Sequence, residues 1–192
     1  LVDALDALPG LERIRISSIE PTTIPEALFP RMADPGHALL PFLHIPLQSG
    51  CDRILREMRR RYTLAAFADF IQRAVRSVPD LCLGTDILVG FPGESAGDFE
   101  QTCAFFQEQP LAYTHVFTYS EREGTLAARR EDPVPREERQ RRSAHLRRLS
   151  AQKHYAYRER HLGREMDVLL ENPREATFPG YTGNSIPVVV PA

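Results

Sequence analysis

An α/β fold built on a parallel sheet is the architecture this sequence predicts, and three observations carry the prediction. Four apolar runs, RIRISS (13–18), FLHIPL (42–47), LCLGTDILVG (81–90) and YTHVFTYS (113–120), recur along the chain. Each is followed by a segment with helical patterning, and strand and helix alternating at about 30 residues is the βαβ signature. Polar residues and glycines gather where each run ends, the edge at which parallel sheets bind ligands.

The elements can be justified in order. LVDALDALPG reads as the end of an amphipathic helix, without a basic leader region or initiator Met, so a longer parent protein is expected. Leu64, Phe67, Phe70, Ile71, Ala74, Val75 and Val78 recur at helical spacing, as do Phe99, Cys103 and Phe106. Ser49-Gly-Cys-Asp52 and Ser95-Ala-Gly-Asp98 fit the capping pattern that opens a helix. One long polar helix is expected over 135–161, with Leu146 and Leu149 as a thin apolar stripe. A boundary falls near Gly163, dividing the chain into 1–163 and 164–192. The tail carries strand patterns at 166–170 and 186–190 around the turn-rich NPREATFPGYTGN. Four βα units are too few to close an eight-stranded barrel of about 250 residues, so either the sheet is open or further strands lie upstream, and the truncated-looking first helix favours the second.

Composition narrows the function. Hydrophobic residues make up 42% of the 192, and no window approaches the roughly 18 consecutive apolar residues of a membrane span. Cys51, Cys82 and Cys103 match neither a disulfide framework nor a zinc ribbon, which points to a reducing cytoplasm. The net charge of −2 hides a segregation: 136–164 holds ten Lys or Arg against three Glu. Local charge of this kind suits an anionic partner such as RNA.

The candidate site lies at the strand ends. Gly90 and Gly93 lack side chains, so a planar ligand such as a nucleoside could lie against bare backbone there. Gln48, Ser49, Asp86 and Arg122 are the polar groups that could reach its ribose or a carboxylate. Glu94 is open to three readings: a catalytic base, an adenine-site group or a carboxylate favoured by a helix N-terminus. His44 and His115 sit in separate strands and read as packing or polar contacts, Cys51 as a small buried residue, so no metal ligand is assigned. Arg60 and Arg61, in MRRRYT, divide evenly between solvated surface and substrate contact.

RIRISSIEP (13–21), LHIPLQSGCDRILREMRRRYT (43–63), TDILVGFPGES (85–95), HVFTYSEREGTLAA (115–128) and GYTGN (180–184) together resemble the radical S-adenosylmethionine methylthiotransferases. SSIEP and HIPLQSG are most similar to the branch acting on threonylcarbamoyladenosine in tRNA; the isopentenyladenosine and ribosomal-protein branches are the alternatives. The resemblance implies the C-terminal part of a partial (β/α)6 TIM-like barrel at 1–163, followed at 164–192 by the start of a small TRAM-like, RNA-binding β domain. It further implies S-adenosylmethionine and two 4Fe–4S clusters in the full-length enzyme, whose cluster ligands this chain lacks, together with a sulfur donor and an electron donor. Gln48, Ser49, Asp86, Gly90, Gly93 and Arg122 would bind the cofactor. Arg60, Arg141, Arg142, Arg147, Arg148 and Tyr181 would meet tRNA. The family's Gly-x-Ile-x-Gly-x-x-Glu pattern is not matched at Gly90 to Glu94. Two other classes remain: a nucleotide-binding α/β enzyme, although G-x-G-x-x-G and G-x-x-x-x-G-K-S/T are absent, and an RNA-binding module without its own catalysis.

Overall fold

The computed structural model describes residues 1–173 and 175–191, with the backbone alone at Thr22. Four strands, β1 (Ile14–Ile16), β2 (Leu39–His44), β3 (Cys82–Val89) and β4 (Tyr113–Thr118), form one parallel sheet in sequential order. The helices are α1 (Val2–Asp6), α2 (Phe29–Ala33), α3 (Asp52–Glu57), α4 (Leu64–Ser77), α5 (Ala96–Glu108) and α6 (Arg136–Glu159). The expected α/β architecture is therefore present.

Alternation along β3 divides its residues between two faces. Leu83, Ile87 and Val89 point outward and join Phe67, Ile71, Phe106 and Leu146 in the main core. Cys82, Gly84, Asp86 and Leu88 point to the opposite, inner face. Phe67, Ile71 and Ala74 of α4 are fully buried, and truncating Phe67 to Ala would cost about 3–5 kcal/mol. Val75 departs from the expected apolar face, being exposed at the rim.

The helix starts differ in chemistry. Ser95 and Asp98 form the expected reciprocal capping box at α5. At α3 the expected cap fails: Cys51 is the N-cap and its side chain makes no capping bond, its Sγ donating instead to Asp98 Oδ1 at 3.1 Å, while Ser49 Oγ accepts from the Cys51 N–H at 3.2 Å. Asp52 instead accepts from the Leu64 N–H at 2.8 Å, joining α3 to α4.

Strand bounds also shift. β2 starts and ends three residues before the expected 42–47, because Pro46 has no N–H and Gln48 adopts a φ of +67°. Gln48 then re-engages β3, its N–H donating to the Asp86 carbonyl and its own carbonyl accepting from Leu88. β1 ends before Ser18, whose φ is +58°.

After α6 come β5 (Val168–Leu170), β6 (Thr177–Thr182) and β7 (Pro187–Pro191), an antiparallel sheet in that order. β6 occupies part of the stretch expected to be turn, where Pro179 and Gly180 mask its pattern. The expected 164–192 unit includes Arg174 and Ala192, which lie outside the described residues. The tail is fixed to the foot of the parallel sheet. Asn184 Nδ2 donates to the Asp80 carbonyl at 3.2 Å, Tyr157 Oη donates to the same carbonyl at 3.0 Å, and Arg13 Nη1 donates to the Tyr181 carbonyl at 2.9 Å.

Candidate active site at the strand ends

The loop after β3, GFPGE, turns back on itself through Gly90 (φ +77°) and Gly93 (φ +81°). It is Arg139 of α6 that comes close to Gly90: a Cβ there would collide with Arg139 Cγ and lie 3.0 Å from its Cδ. At Gly93 a Cβ would meet Arg130 Nη2 and, at 2.6 Å, Asp132 Oδ2. The two glycines thus make room for the chain's own side chains, which corrects the expectation of a bare platform for a planar ligand.

Arg139 is held in place by four contacts. Its Nε donates to the Val134 carbonyl at 2.6 Å, Nη1 to the Tyr119 carbonyl at 3.0 Å and Nη2 to Glu121 at 2.5 Å, and its guanidinium lies 5.4 Å from the Tyr119 ring centre. One helical turn on, Arg142 is buried and paired with Glu94. Glu94 Oε2 accepts from Arg142 Nη1 at 2.7 Å and from the Gly90 N–H at 2.6 Å. Burial pushes the Glu94 carboxyl above its ordinary range, while the Gly90 N–H and Arg142 oppose that shift. Glu94 therefore closes its own loop and ties it to α6, a structural role outside its three readings. Arg142, expected to face RNA, is corrected to an internal partner whose side chain is 5% exposed.

The inner face holds a group that the sequence reading missed. His44 Nε2 lies 2.8 Å from Asp86 Oδ1, and His115 Nδ1 lies 3.5 Å from the same oxygen. The His44 and His115 rings are 5.0 Å apart, and Tyr113 Oη is 3.3 Å from His44 Nδ1. Register explains the convergence: Asp86 stands opposite His115, and His44 opposite Gly84, one inward position below Asp86. A Cβ at Gly84 would collide with the Tyr113 ring and lie 2.8 Å from His44 Nδ1, so the missing side chain admits both rings. The usable signal was the alignment of HIP, TDI and THV across neighbouring parallel strands.

The remaining expected residues are dispersed. Gln48 is half-buried beside Asp86 in the sheet. Ser49 is fully buried, 3.4 Å from Thr102 Oγ1, and holds a loop against α5 rather than facing a ligand, which corrects its assignment. Arg122 is exposed on the loop after β4, where its carbonyl accepts from the Thr125 hydroxyl. Arg60 faces Glu20 at 3.5 Å. Arg141 is exposed and paired with Glu138, Arg147 donates to the Val116 carbonyl at 2.6 Å, Arg148 is exposed, and Tyr181 is exposed on β6.

The cysteines do not suit an iron–sulfur cluster. Cys51, Cys82 and Cys103 are buried in three separate hydrophobic clusters, and burial pushes the Cys82 thiol up to about 12 and that of Cys103 to about 11. Cluster ligation requires thiolates that converge.

A model of the radical SAM superfamily matches residues 1–106. The threonylcarbamoyladenosine tRNA methylthiotransferase MtaB of Bacillus subtilis (strain 168) is 37% identical over 98% of this chain and 43% of its own length. The tRNA-2-methylthio-N(6)-dimethylallyladenosine synthase of Protochlamydia amoebophila (strain UWE25) is 37% identical over 89% of this chain and 38% of its own. The chain thus spans about two fifths of the length of these curated relatives. Coproporphyrinogen III oxidase (HemN) of Escherichia coli, a radical SAM enzyme, superposes with a TM-score of 0.59 at 16% identity, over 73% of this chain and 32% of its own. Elp3 of Methanocaldococcus infernus gives a TM-score of 0.50 at 12% identity, over 88% of this chain and 52% of its own. With the family model covering more than half of its residues, the sequential parallel sheet described above is part of a known whole, and the chain belongs to the radical SAM superfamily.

Proposed function

We propose that this chain is part of a tRNA methylthiotransferase that places a methylthio group on carbon 2 of threonylcarbamoyladenosine. The observation that carries the reading is the 37% identity to the Bacillus enzyme across 98% of the chain, tail included. S-adenosylmethionine, and two 4Fe–4S clusters whose ligands lie outside this chain, would supply the radical and the sulfur. The chain's own contribution is a wall. Gln48 and Asp86 line the inner face with His44 and His115, positioned to orient a polar substrate, while Glu94, Arg139 and Arg142 fix the loop above them. Exposed Arg141, Arg147 and Arg148, with Arg60 and Tyr181, remain the RNA-facing residues, and 164–192 would act as the RNA-binding β domain. Among the described residues no helix is long and apolar enough to cross a membrane, and a cytoplasmic site with sulfur and electron donors as partners fits the reading.

The test uses the full-length protein in a host lacking this modification. Mass spectrometry of tRNA nucleosides should show methylthio-threonylcarbamoyladenosine. Methylthiolation of isopentenyladenosine would favour the second reading, which the Protochlamydia relative supports at equal identity. Absence of both products would overturn the proposal. For the RNA face, replacing Arg141, Arg147 and Arg148 with Gln should weaken tRNA binding and flatten its salt dependence. Equal affinities along parallel lines would remove these residues from the interface.

A further inference from the structure

We propose that His44, Asp86 and His115 form a binding site for one divalent transition-metal ion on the inner face of the sheet. Three observations meet there. The donor set, two imidazoles and one carboxylate, is the combination that holds zinc, cobalt or iron(II) while leaving coordination positions open. The donors already converge: Asp86 Oδ1 lies 2.8 Å from His44 Nε2 and 3.5 Å from His115 Nδ1, and all three ligand atoms fall within 4.8 Å of one another. Ligands at about 2.0–2.2 Å from a tetrahedral ion stand about 3.4 Å apart, so binding requires side-chain adjustment and no backbone movement.

The support around the donors is the third observation. Metal-binding histidines use their second ring nitrogen to hold orientation, and His44 Nδ1 has Tyr113 Oη at 3.3 Å. Gly84 leaves the space in which the Tyr113 and His44 rings sit. Two of the three donors ride on paired residues of adjacent strands, and the third is one strand away, so the backbone ladder fixes their spacing. The site differs in chemistry from an iron–sulfur centre, since no cysteine contributes to it. The side chain of His44 is 7% exposed and that of His115 60%, which leaves access from the His115 side.

The experiment titrates the purified 192-residue chain with Co2+ and, separately, with Zn2+ in competition. One equivalent of cobalt should give visible d–d bands without a thiolate charge-transfer band, and zinc should bleach them. His44→Ala, His115→Ala and Asp86→Asn should each lower affinity by more than about tenfold, and Tyr113→Phe, which removes only the supporting hydroxyl, by about tenfold. Thermal unfolding of each variant shows that it is folded; if His44→Ala fails to fold, His115→Ala, on the open side, decides. Absence of stoichiometric binding overturns the site, as does unchanged affinity in folded His115→Ala or the appearance of a thiolate band. Because the readout is metal affinity and not tRNA modification, its failure leaves the proposed function separately testable.

Discussion

Arg139 lies across Gly90, its aliphatic stem occupying the volume where a side chain at position 90 would stand. Gly90→Ala therefore meets two costs, the left-handed φ of +77° and the collision with Arg139. Together they should destabilise the fold by about 2–4 kcal/mol. Denaturant unfolding of Gly90→Ala, Arg139→Ala and the double variant checks it. In the Arg139→Ala background the Gly90→Ala cost should fall toward the backbone share alone, and strict additivity would refute the contact.

The Arg142–Glu94 pair is buried on both sides, so removing one member leaves a charge without compensation. Arg142→Met should cost about 3–5 kcal/mol, whereas Arg142→Met with Glu94→Leu should recover most of the loss. Equal stability of the two variants in urea would show that the pair is not coupled.

Acid should weaken the fold in a defined window. Hydrogen bonds from Arg141 and then Arg142 hold Glu138 down to about 2, against an ordinary value of 4.5. The Arg53 guanidinium does the same to Asp98, whose carboxyl also lies well below its usual range. A depressed carboxylate contributes stability above its unfolded value, and that contribution is lost as pH falls through its folded one. The melting midpoint should thus decline between about pH 4.5 and 2, and Glu138→Gln should flatten the decline. Glu94 acts with the opposite sign, because its raised value makes the folded chain the better proton acceptor. Melting curves recorded along the pH series for both chains are the check, and an unchanged slope in Glu138→Gln would exclude its part.

Asn184 is buried where tail meets sheet, with Asp80 and His161 as partners. Asn184→Ala should lower stability by about 1–3 kcal/mol and turn a single thermal transition into two, as the tail loosens first. Calorimetry decides, and one undisturbed transition would mean that the junction is held by other contacts.

Much of the fold was legible in the sequence, since periodicity and turn residues reflect local chemistry. The four strands, α4 and the Ser95 capping box all announce themselves within a dozen residues. Pro179 and Gly180 hid β6, because a strand paired on both sides is recognised by its partners more than by its own composition. The site was less legible. Gly90 and Gly93 did signal a close approach, but the approaching group stands about 50 and 40 residues further on, in Arg139 and in the Arg130 segment. The ten cations of 136–164 gave a total charge without saying which were internal, and the thin stripe of Leu146 and Leu149 concealed that α6 also packs through Arg139, Arg142 and Ser150. His44, Asp86 and His115 meet only through strand register, which no single segment encodes.

The two ends of α6 meet different parts of the molecule: Arg139 near its start is locked to the loop after β3, and Tyr157 near its end to Asp80 and the tail. A helix of 24 residues is a rod of about 36 Å, and both of its attachments are buried. The separation between the β5–β7 tail and the strand-end loops is accordingly a fixed length, with none of the slack of a tether. The tail is carried at a set reach from the strand-end loops, so α6 works as a spacer: each residue added to or removed from its middle would change that reach by about 1.5 Å.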